Sequence, residues 1–415
     1  MRALFLLAAA AAMTPRGYVC YRTAAPLHID GKLNDVAWRR APWTDPFVDI
    51  EGSARPRPRF RTRVKMLWDD QHFYIAAEME EPHVWGTLEK HDSVIFHDND
   101  FEVFLDPGGD NHEYYELEIN ALNTTWDLFL PLPYKDGGKA RNDWEITGLR
   151  SGVHVDGALN DPRGVDRGWS LELAIPWKDL AAYARRPAPP RDGDQWRVNF
   201  SRVEWQHEVV GGRYRKIAGR KEDNWVWSPQ GVIDMHRPER WGYVQFSTAA
   251  PGRARYQPDQ SGPARDLLHK VYYAQRDFRK QHGRWALGLG ELGLEGAGAG
   301  AALEPAPDGF RARFQGLEIR QDSRIWPLKS LEDYRRDIDA LDQRLLALLN
   351  ERARVALDIG ALKRQQGLSV ADSKREAEVV GNVTSRNLGP LSAEAVRRLF
   401  ERIMEQMRAL QNGQP

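Results

Sequence analysis

The chain has 415 residues, which is more than one ordinary domain core holds and indicates two or three domains. Its 59 lysine and arginine residues balance 59 aspartate and glutamate residues, so the overall charge gives no reason to expect a nucleic-acid partner. The single cysteine, Cys20, excludes an intrachain disulfide. Because Cys20 lies in a strand-like run, we predict a buried structural thiol.

The N-terminus has the pattern of an export signal. Arg2 supplies the positive charge that precedes the apolar region of a signal peptide. Residues 3–13 form an apolar run that is too short to span a bilayer. We therefore predict a signal peptide over residues 1–17 and a mature protein that is periplasmic or extracellular. No membrane span is expected after the signal is removed.

Residues 18–250 have the pattern of an all-β domain. Short alternating or β-rich runs recur along this region, and clusters of glycine, proline, asparagine and aspartate separate them. Many short strands joined by polar turns are typical of a β-sandwich. The clearest runs are 61–67, 73–79, 101–105, 115–119, 170–175, 197–202 and 243–246.

Residues 251–329 are predicted to be a linker. Proline, glycine and arginine are frequent in 251–265, and glycine, alanine and proline are frequent in 295–309. Between these stretches, residues 265–282 have the apolar spacing of a helix. A small hairpin around Gly316 is suggested near the end of the segment.

From Ser330 onward the apolar residues recur with a helical period. Ser330 and Asp333 suit an N-terminal capping box, and Gly367 suits the end of the first helix. Asp372 and Ser392 are expected to begin two shorter helices. A first helix of about 35 residues is about 50 Å long, and two short helices cannot cover its apolar stripe. We therefore predict an all-α domain of three helices that forms a homodimer.

Several motifs between residues 24 and 246 match one family. They are Ile29-Asp-Gly31, Val64-Lys-Met-Leu-Trp68, Asn99-Asp-Phe-Glu102, Trp169-Ser-Leu-Glu-Leu173 and Trp241-Gly242. This region resembles the sandwich of family-9 carbohydrate-binding modules, which implies a glycan partner. Members of that family hold a sugar between two tryptophan rings.

The sugar clamp that this resemblance implies is altered in the present chain. Phe96 and Met235 stand where the two rings are expected, and Trp85 and Trp225 are nearby alternatives. Acids such as Glu116 and Glu118 share one strand face, which occurs in any sheet, so no glycosidase pair is indicated.

An acidic loop in the β domain is a candidate calcium site. Asp106, Asp110 and Asn111, together with Glu113, offer the hard oxygen atoms that calcium prefers. A simple polar turn is the alternative interpretation, and the two remain open at this point.

The C-terminal motifs match a second family. They are residues 331–342, Asn350-Glu-Arg352, Ile359-Gly-Ala-Leu-Lys363, Asp372-Ser-Lys-Arg375-Glu376, Gly389-Pro-Leu-Ser392 and Gln411. Residues 330–412 resemble the all-helical chorismate mutases, which form intertwined dimers. The resemblance implies that the domain converts chorismate to prephenate without a cofactor.

The chemistry of this rearrangement explains the residue types that the resemblance implies. The substrate is a dianion that must fold while negative charge grows on its ether oxygen, so catalysis consists of positioning and electrostatic stabilisation. Arg352 and Arg335 would hold the two carboxylates, since a guanidinium binds them bidentately. Lys363 and Gln411 would face the ether oxygen. Arg335 lies about 25 Å along the helix from Arg352 and cannot reach the same ligand. The resemblance implies that Arg335 serves the partner's site, and this spacing agrees.

Three further residues complete the implied site. Glu376 would bind the substrate hydroxyl, and Asp372 and Arg375 would support the pocket. Met407 departs from the family, which places a small polar residue there in contact with a carboxylate. Losing that hydrogen bond costs about 1–3 kcal/mol, so we predict a site that is weakened but not inactive.

Two functions remain open from the sequence. One is a chorismate mutase fused to an exported carbohydrate-binding module. The other is a carbohydrate-binding envelope protein whose helical tail serves only for dimerisation. The presence of Arg335, Arg352, Lys363 and Glu376 together favours the enzyme.

Overall fold

The computed structural model describes residues 14–328, 330–369, 372–387 and 389–412. The described part of the chain divides into two compact units, one that ends at residue 328 and one that begins at residue 330. Most of the predicted signal peptide falls on residues 1–13, which lie outside the described residues. Within the described ranges, no helix combines the length and the apolar character that a bilayer crossing requires.

Residues 17–247 form the β-rich part of the first unit. Two short helices interrupt it, α1 at Val36–Arg40 and α2 at Trp177–Leu180. The strands are β1 Gly17–Arg22, β2 Val48–Asp49, β3 Thr62–Trp68, β4 His72–Glu80, β5 Asp100–Asp106, β6 Tyr114–Asn120, β7 Thr125–Leu130, β8 Arg150–Asp156, β9 Gly168–Pro176, β10 Gln195–Glu204, β11 His207–Val210, β12 Arg213–Lys216, β13 Asp223–Val226 and β14 Gly242–Ser247.

Twelve of these strands form one hydrogen-bonded sheet. Its main order is β7-β6-β5-β10-β14-β1-β3-β4-β9-β8, with β13 beside β10 and β2 beside β13, while β11 and β12 form a separate hairpin. Strand β1 runs parallel to β14 on one side and to β3 on the other. The predicted all-β class is confirmed. The two halves of the sandwich are continuous because β1 joins them.

The core of this sheet follows from strand alternation. Every second residue of a strand points to the same face, and Val64 and Met66 of β3 share one buried cluster with Phe101 and Val103 of β5. Cys20 lies in the same core with 0% of its surface exposed, and burial raises the pKa of its thiol. The opposite face of β5 and β6 is therefore left to line a cleft.

The predicted linker contains more structure than its composition suggested. The expected helix is present as α3, Gly262–His282. It packs through Val271 and Tyr272 against Phe310 and Ile319 of a four-stranded antiparallel sheet. The strands are β15 Ala302–Ala306, β16 Gly309–Phe314, β17 Leu317–Arg320 and β18 Ile325–Pro327.

The second unit is a bundle of helices, as the periodicity predicts. They are α4 Leu331–Gln365, α5 Ser373–Ser385 and α6 Ala393–Gln411, and α6 packs against both α4 and α5. Ser330 and Asp333 form the reciprocal capping box at the start of α4. Asp372 accepts a hydrogen bond from the backbone N–H of Arg375, which sets the start of α5.

Candidate functional site

A cavity of about 270 Å³ opens in the helical unit. Helix α4 lines one side, while α5 with its N-cap and the end of α6 line the rest. Six of the seven residues implied by the family resemblance meet in it. They are Arg352, Lys363, Asp372, Arg375, Glu376 and Gln411.

The α4 side of the cavity results from helix geometry. Arg352, Ala356, Ile359 and Lys363 all line the cavity, because their spacing follows the 3.6-residue period and places them on one face. The two cations lie at the ends of this row, with apolar side chains between them. Such a row suits a ligand that has an apolar ring between charged groups.

Gln411 is held in position by two contacts with α4. Its side-chain Nε2 donates to the main-chain carbonyl oxygen of Ala356 at 2.6 Å, and its main-chain carbonyl oxygen accepts from the guanidinium of Arg364 at 2.8 Å. A Cβ atom at Gly360 would lie 3.0 Å from Cγ of Gln411, so glycine at this position permits the close approach. The amide has a second N–H, which is available for a ligand.

Arg408 is a cavity residue that the sequence analysis missed. Its guanidinium donates to the Glu376 carboxylate at 3.1 Å, which orients Glu376 from the neighbouring helix. The sequence feature that could have identified Arg408 is its position on α6, three residues before Gln411 and next to Met407. With Arg408 included, the described lining carries four cations and two carboxylates. Its net positive charge suits an anionic ligand.

Arg335 does not reach this cavity within its own chain. Its side chain is 65% exposed and lies 3.8 Å from Glu332 on the first turn of α4. This position agrees with a role in a neighbouring subunit, which stays a prediction.

Met407 lines the cavity and offers no hydrogen-bond donor. With chorismate, the substrate that the family resemblance implies, we expect Met407→Thr to raise kcat/KM by about tenfold, about 1.4 kcal/mol, because a hydroxyl there can donate to a substrate carboxylate. Met404→Thr is the matched control, since it places a hydroxyl on the apolar floor. Steady-state assays that give Met407→Thr equal or lower kcat/KM would contradict this assignment.

A second cavity of about 240 Å³ lies in the first unit, on the sheet face opposite the core. Phe96 and Met235, the predicted positions of the altered clamp, both line it. Glu102 of β5 lies directly across from Glu118 of β6, and Glu118 lies across from Trp126 of β7. The register therefore brings acidic and aromatic side chains to the same cleft.

Trp85 and Trp225 are packing residues and do not line that cleft. Each is 3% exposed. Trp85 stacks on Tyr214 with ring centroids 6.4 Å apart, and Trp225 packs edge-on against Phe60 at 6.2 Å. Neither ring presents a face to solvent. The prediction that Trp85 or Trp225 serves as an alternative ring of the sugar clamp is therefore wrong.

Carboxylate oxygen atoms of the acidic loop after β5 are engaged by protein groups. The carboxylate of Asp106 accepts hydrogen bonds from the backbone N–H groups of Gly109 and Asn111. Arg324 lies 2.7 Å from Asp110 and 3.1 Å from Glu113. Because protein donors already occupy these oxygen atoms, the geometry is that of a polar turn. Calcium in this domain stays a prediction.

Two family models match the chain. Residues 334–412 match the model described as Chorismate mutase type II, and residues 29–187 match the model described as Carbohydrate family 9 binding domain-like. The curated bifunctional chorismate mutase/prephenate dehydratase of Pseudomonas aeruginosa is 40% identical over 87 residues, which is 20% of this chain and 24% of that protein. The chain spans less than a quarter of the curated relatives it matches.

Two solved structures are similar to separate parts of the chain. Chorismate mutase (Form II) from Thermus thermophilus is 33% identical, with 20% of this chain and 96% of that chain covered and a TM-score of 0.20. A family 9 carbohydrate-binding module from Caldicellulosiruptor kristjanssonii, in complex with cellotriose, is 15% identical, with 59% and 100% covered and a TM-score of 0.38. Residues 334–412 are therefore a chorismate mutase type II domain, which is fused to a carbohydrate family 9 binding domain-like region at residues 29–187.

Proposed function

We propose that the helical unit catalyses the rearrangement of chorismate to prephenate. The observation that carries the proposal is the cavity in which Arg352, Lys363, Glu376 and Gln411 converge around apolar side chains. This combination matches a dianion with a ring, a hydroxyl group and an ether oxygen. No residue has to act as a nucleophile or as a proton carrier.

The proposed roles follow from the geometry of the cavity. Arg352 clamps one carboxylate through a planar fork. Lys363 and the free amide N–H of Gln411 stabilise the charge that grows on the ether oxygen as its bond breaks. Glu376 binds the substrate hydroxyl while Arg408 holds the Glu376 carboxylate in place.

The proposal includes a homodimer in which a second copy completes the site. Leu341, Leu345 and Leu348 of α4 are 57%, 54% and 62% exposed in one chain. Full burial of an exposed leucine contributes about 1.5–3 kcal/mol. Covering the remaining exposed part of these three side chains is therefore favourable, and a second α4 offers a matching apolar stripe. In that arrangement the partner subunit's Arg335 supplies the second carboxylate clamp.

A prephenate-formation assay tests the catalytic proposal directly. The full chain, purified from a strain that lacks its own chorismate mutase, is expected to convert chorismate to prephenate well above the uncatalysed rate. The reaction is followed by the loss of chorismate absorbance and by identification of prephenate. Conversion at only the uncatalysed rate would favour the alternative, a helical unit that serves only for dimerisation.

A second function is proposed for the first unit, namely weak glycan binding in the cleft that Phe96 and Met235 line. The supporting observation is a cavity that combines these two side chains and Trp126 with several polar groups, which is the usual make-up of a small-molecule site. Shallow sugar sites of this kind bind in the millimolar to micromolar range, about −4 to −8 kcal/mol. Calorimetric titration with hexoses tests this binding.

A further inference from the structure

The cleft of the first unit has an unusual concentration of buried carboxylates. Glu102, Glu116 and Glu118 line it and are only 6%, 5% and 2% exposed. Glu222 lines its rim. Asp100 lies beside them with 0% exposure, and one carboxylate oxygen from each of Asp100, Glu102 and Glu118 lies within 4.8 Å of the others. We call these five residues, together with the cavity that the four glutamates line, the acidic cleft.

The described lining of the acidic cleft supplies no compensating cation. Among the residues that form it, none is a lysine or an arginine. The imidazole of His236 lies 4.0 Å from Glu116, but burial lowers the pKa of His236 to about 4, so the ring is neutral at pH 7. Buried like charges repel each other strongly unless a proton or a cation joins them.

One carboxylate oxygen in the cluster has no partner. Oδ1 of Asp100 accepts from the backbone N–H of Val203 at 3.2 Å, whereas Oδ2 is buried without a hydrogen-bond partner among the described residues. Burial raises the pKa of Glu102 to about 7, and burial together with the Glu102 charge raises the pKa of Glu116 and of Glu118. A buried polar atom without a partner calls for a proton, a water molecule or a ligand, and Asp100 lies in the same cluster as Glu102 and Glu118, which line the cavity.

The walls of the acidic cleft indicate what kind of cation fits. Phe96, Trp126 and Tyr134 present aromatic rings around the carboxylates, and aromatic rings attract organic cations through their electron-rich faces. A bare metal ion gains no ligand from such rings and fills little of a cavity of about 240 Å³. The combination of rings, carboxylates and space matches a small organic molecule that carries a protonated amine.

We propose that the acidic cleft binds an amine-bearing ligand, with a glycan that carries a free amino sugar as its natural class, in preference to a neutral sugar. The ammonium group would lie among Glu102, Glu116 and Glu118, and the sugar ring would lie against Trp126 and Phe96. This inference rests on the glycan binding proposed above and specifies its ligand.

Calorimetric titration of the full chain at neutral pH, with a chelator present, tests the proposal. Glucosamine is expected to bind at least about tenfold more tightly than glucose. N-acetylglucosamine has the same ring without the charge, so it should bind no better than glucose. Glu102→Gln and Glu116→Gln, which keep the side-chain shape, should each reduce glucosamine affinity about tenfold and lower the ratio of glucosamine affinity to glucose affinity. Glu208→Gln, on an exposed hairpin, is the matched control.

The outcomes separate this inference from the glycan proposal. Equal affinity for glucose and glucosamine would overturn the amine preference and retain glycan binding. Binding of putrescine without binding of any sugar would retain the amine site and overturn glycan binding. Binding of Ca²⁺ in chelator-free buffer, lost in Glu102→Gln, with no binding of any amine, would make the cluster a metal site and overturn the inference.

Discussion

Arg352→Ala is expected to lower kcat/KM for chorismate by at least about a hundredfold, an effect of about 2.7 kcal/mol. Arg352 lines the cavity of the helical unit together with Lys363 and Gln411. The rearrangement has no proton transfer that another group could take over, so a missing carboxylate clamp cannot be replaced. Steady-state rates of prephenate formation measure the loss.

Arg354→Ala is the matched control for this experiment. Arg354 is exposed on the same helix two residues away, and it does not line the cavity. Its removal takes the same charge from α4 and should leave kcat/KM within about twofold, as is usual for surface substitutions. Circular dichroism of both variants should show equal helix content. A folded Arg352→Ala variant with near-normal activity would remove Arg352 from the site.

Mixing inactive Arg335→Ala chains with inactive Arg352→Ala chains is expected to restore about a quarter of the wild-type activity. In an intertwined dimer each site takes Arg352 from one chain and Arg335 from the other. Random exchange makes about half of the dimers mixed, and each mixed dimer has one site with both defects and one intact site. The measurement is prephenate formation before and after the chains exchange.

The control for this mixing experiment is exchange within one variant. Arg335→Ala chains unfolded and refolded alone should stay inactive, which excludes recovery through refolding. Differently tagged chains, captured together, should establish that mixed dimers have formed. If captured mixed dimers remain inactive, Arg335 does not cross between subunits and the shared-site arrangement is wrong.

The helical unit was largely determined by local sequence signals. The apolar period, the capping pair of Ser330 and Asp333, and the cap at Asp372 predicted helices that the structure contains. The site residues were assigned through the family resemblance, and the spacing of Arg352 and Lys363 supports that assignment independently because it places them on one helix face. Arg408 escaped notice because its role depends on contact with Glu376 across two helices, which helical periodicity does not encode.

The continuity of the sheet was decided only by tertiary structure. The alternating runs predicted most strands, but β1 pairs in parallel with β14, more than two hundred residues later in the chain. Parallel pairing over such a distance leaves no local pattern of turn residues, so the run that contains Cys20 could be predicted as a strand but its two partners could not. Likewise, four strands shared a core with α3 in a segment whose glycine and alanine content suggested a linker.

The acidic cleft shows most clearly which features the sequence determines and which features only the tertiary structure decides. The sequence places Glu116 and Glu118 on one strand face, an arrangement that occurs in any sheet. Only the antiparallel register sets Glu102 opposite Glu118 and brings Asp100 to the same cluster. The tertiary structure also decided which side chains are buried, because the fold encloses Trp85 and leaves Phe96 beside the cavity. Local sequence specifies which face a side chain occupies, whereas strand pairing and packing specify its neighbours and its exposure.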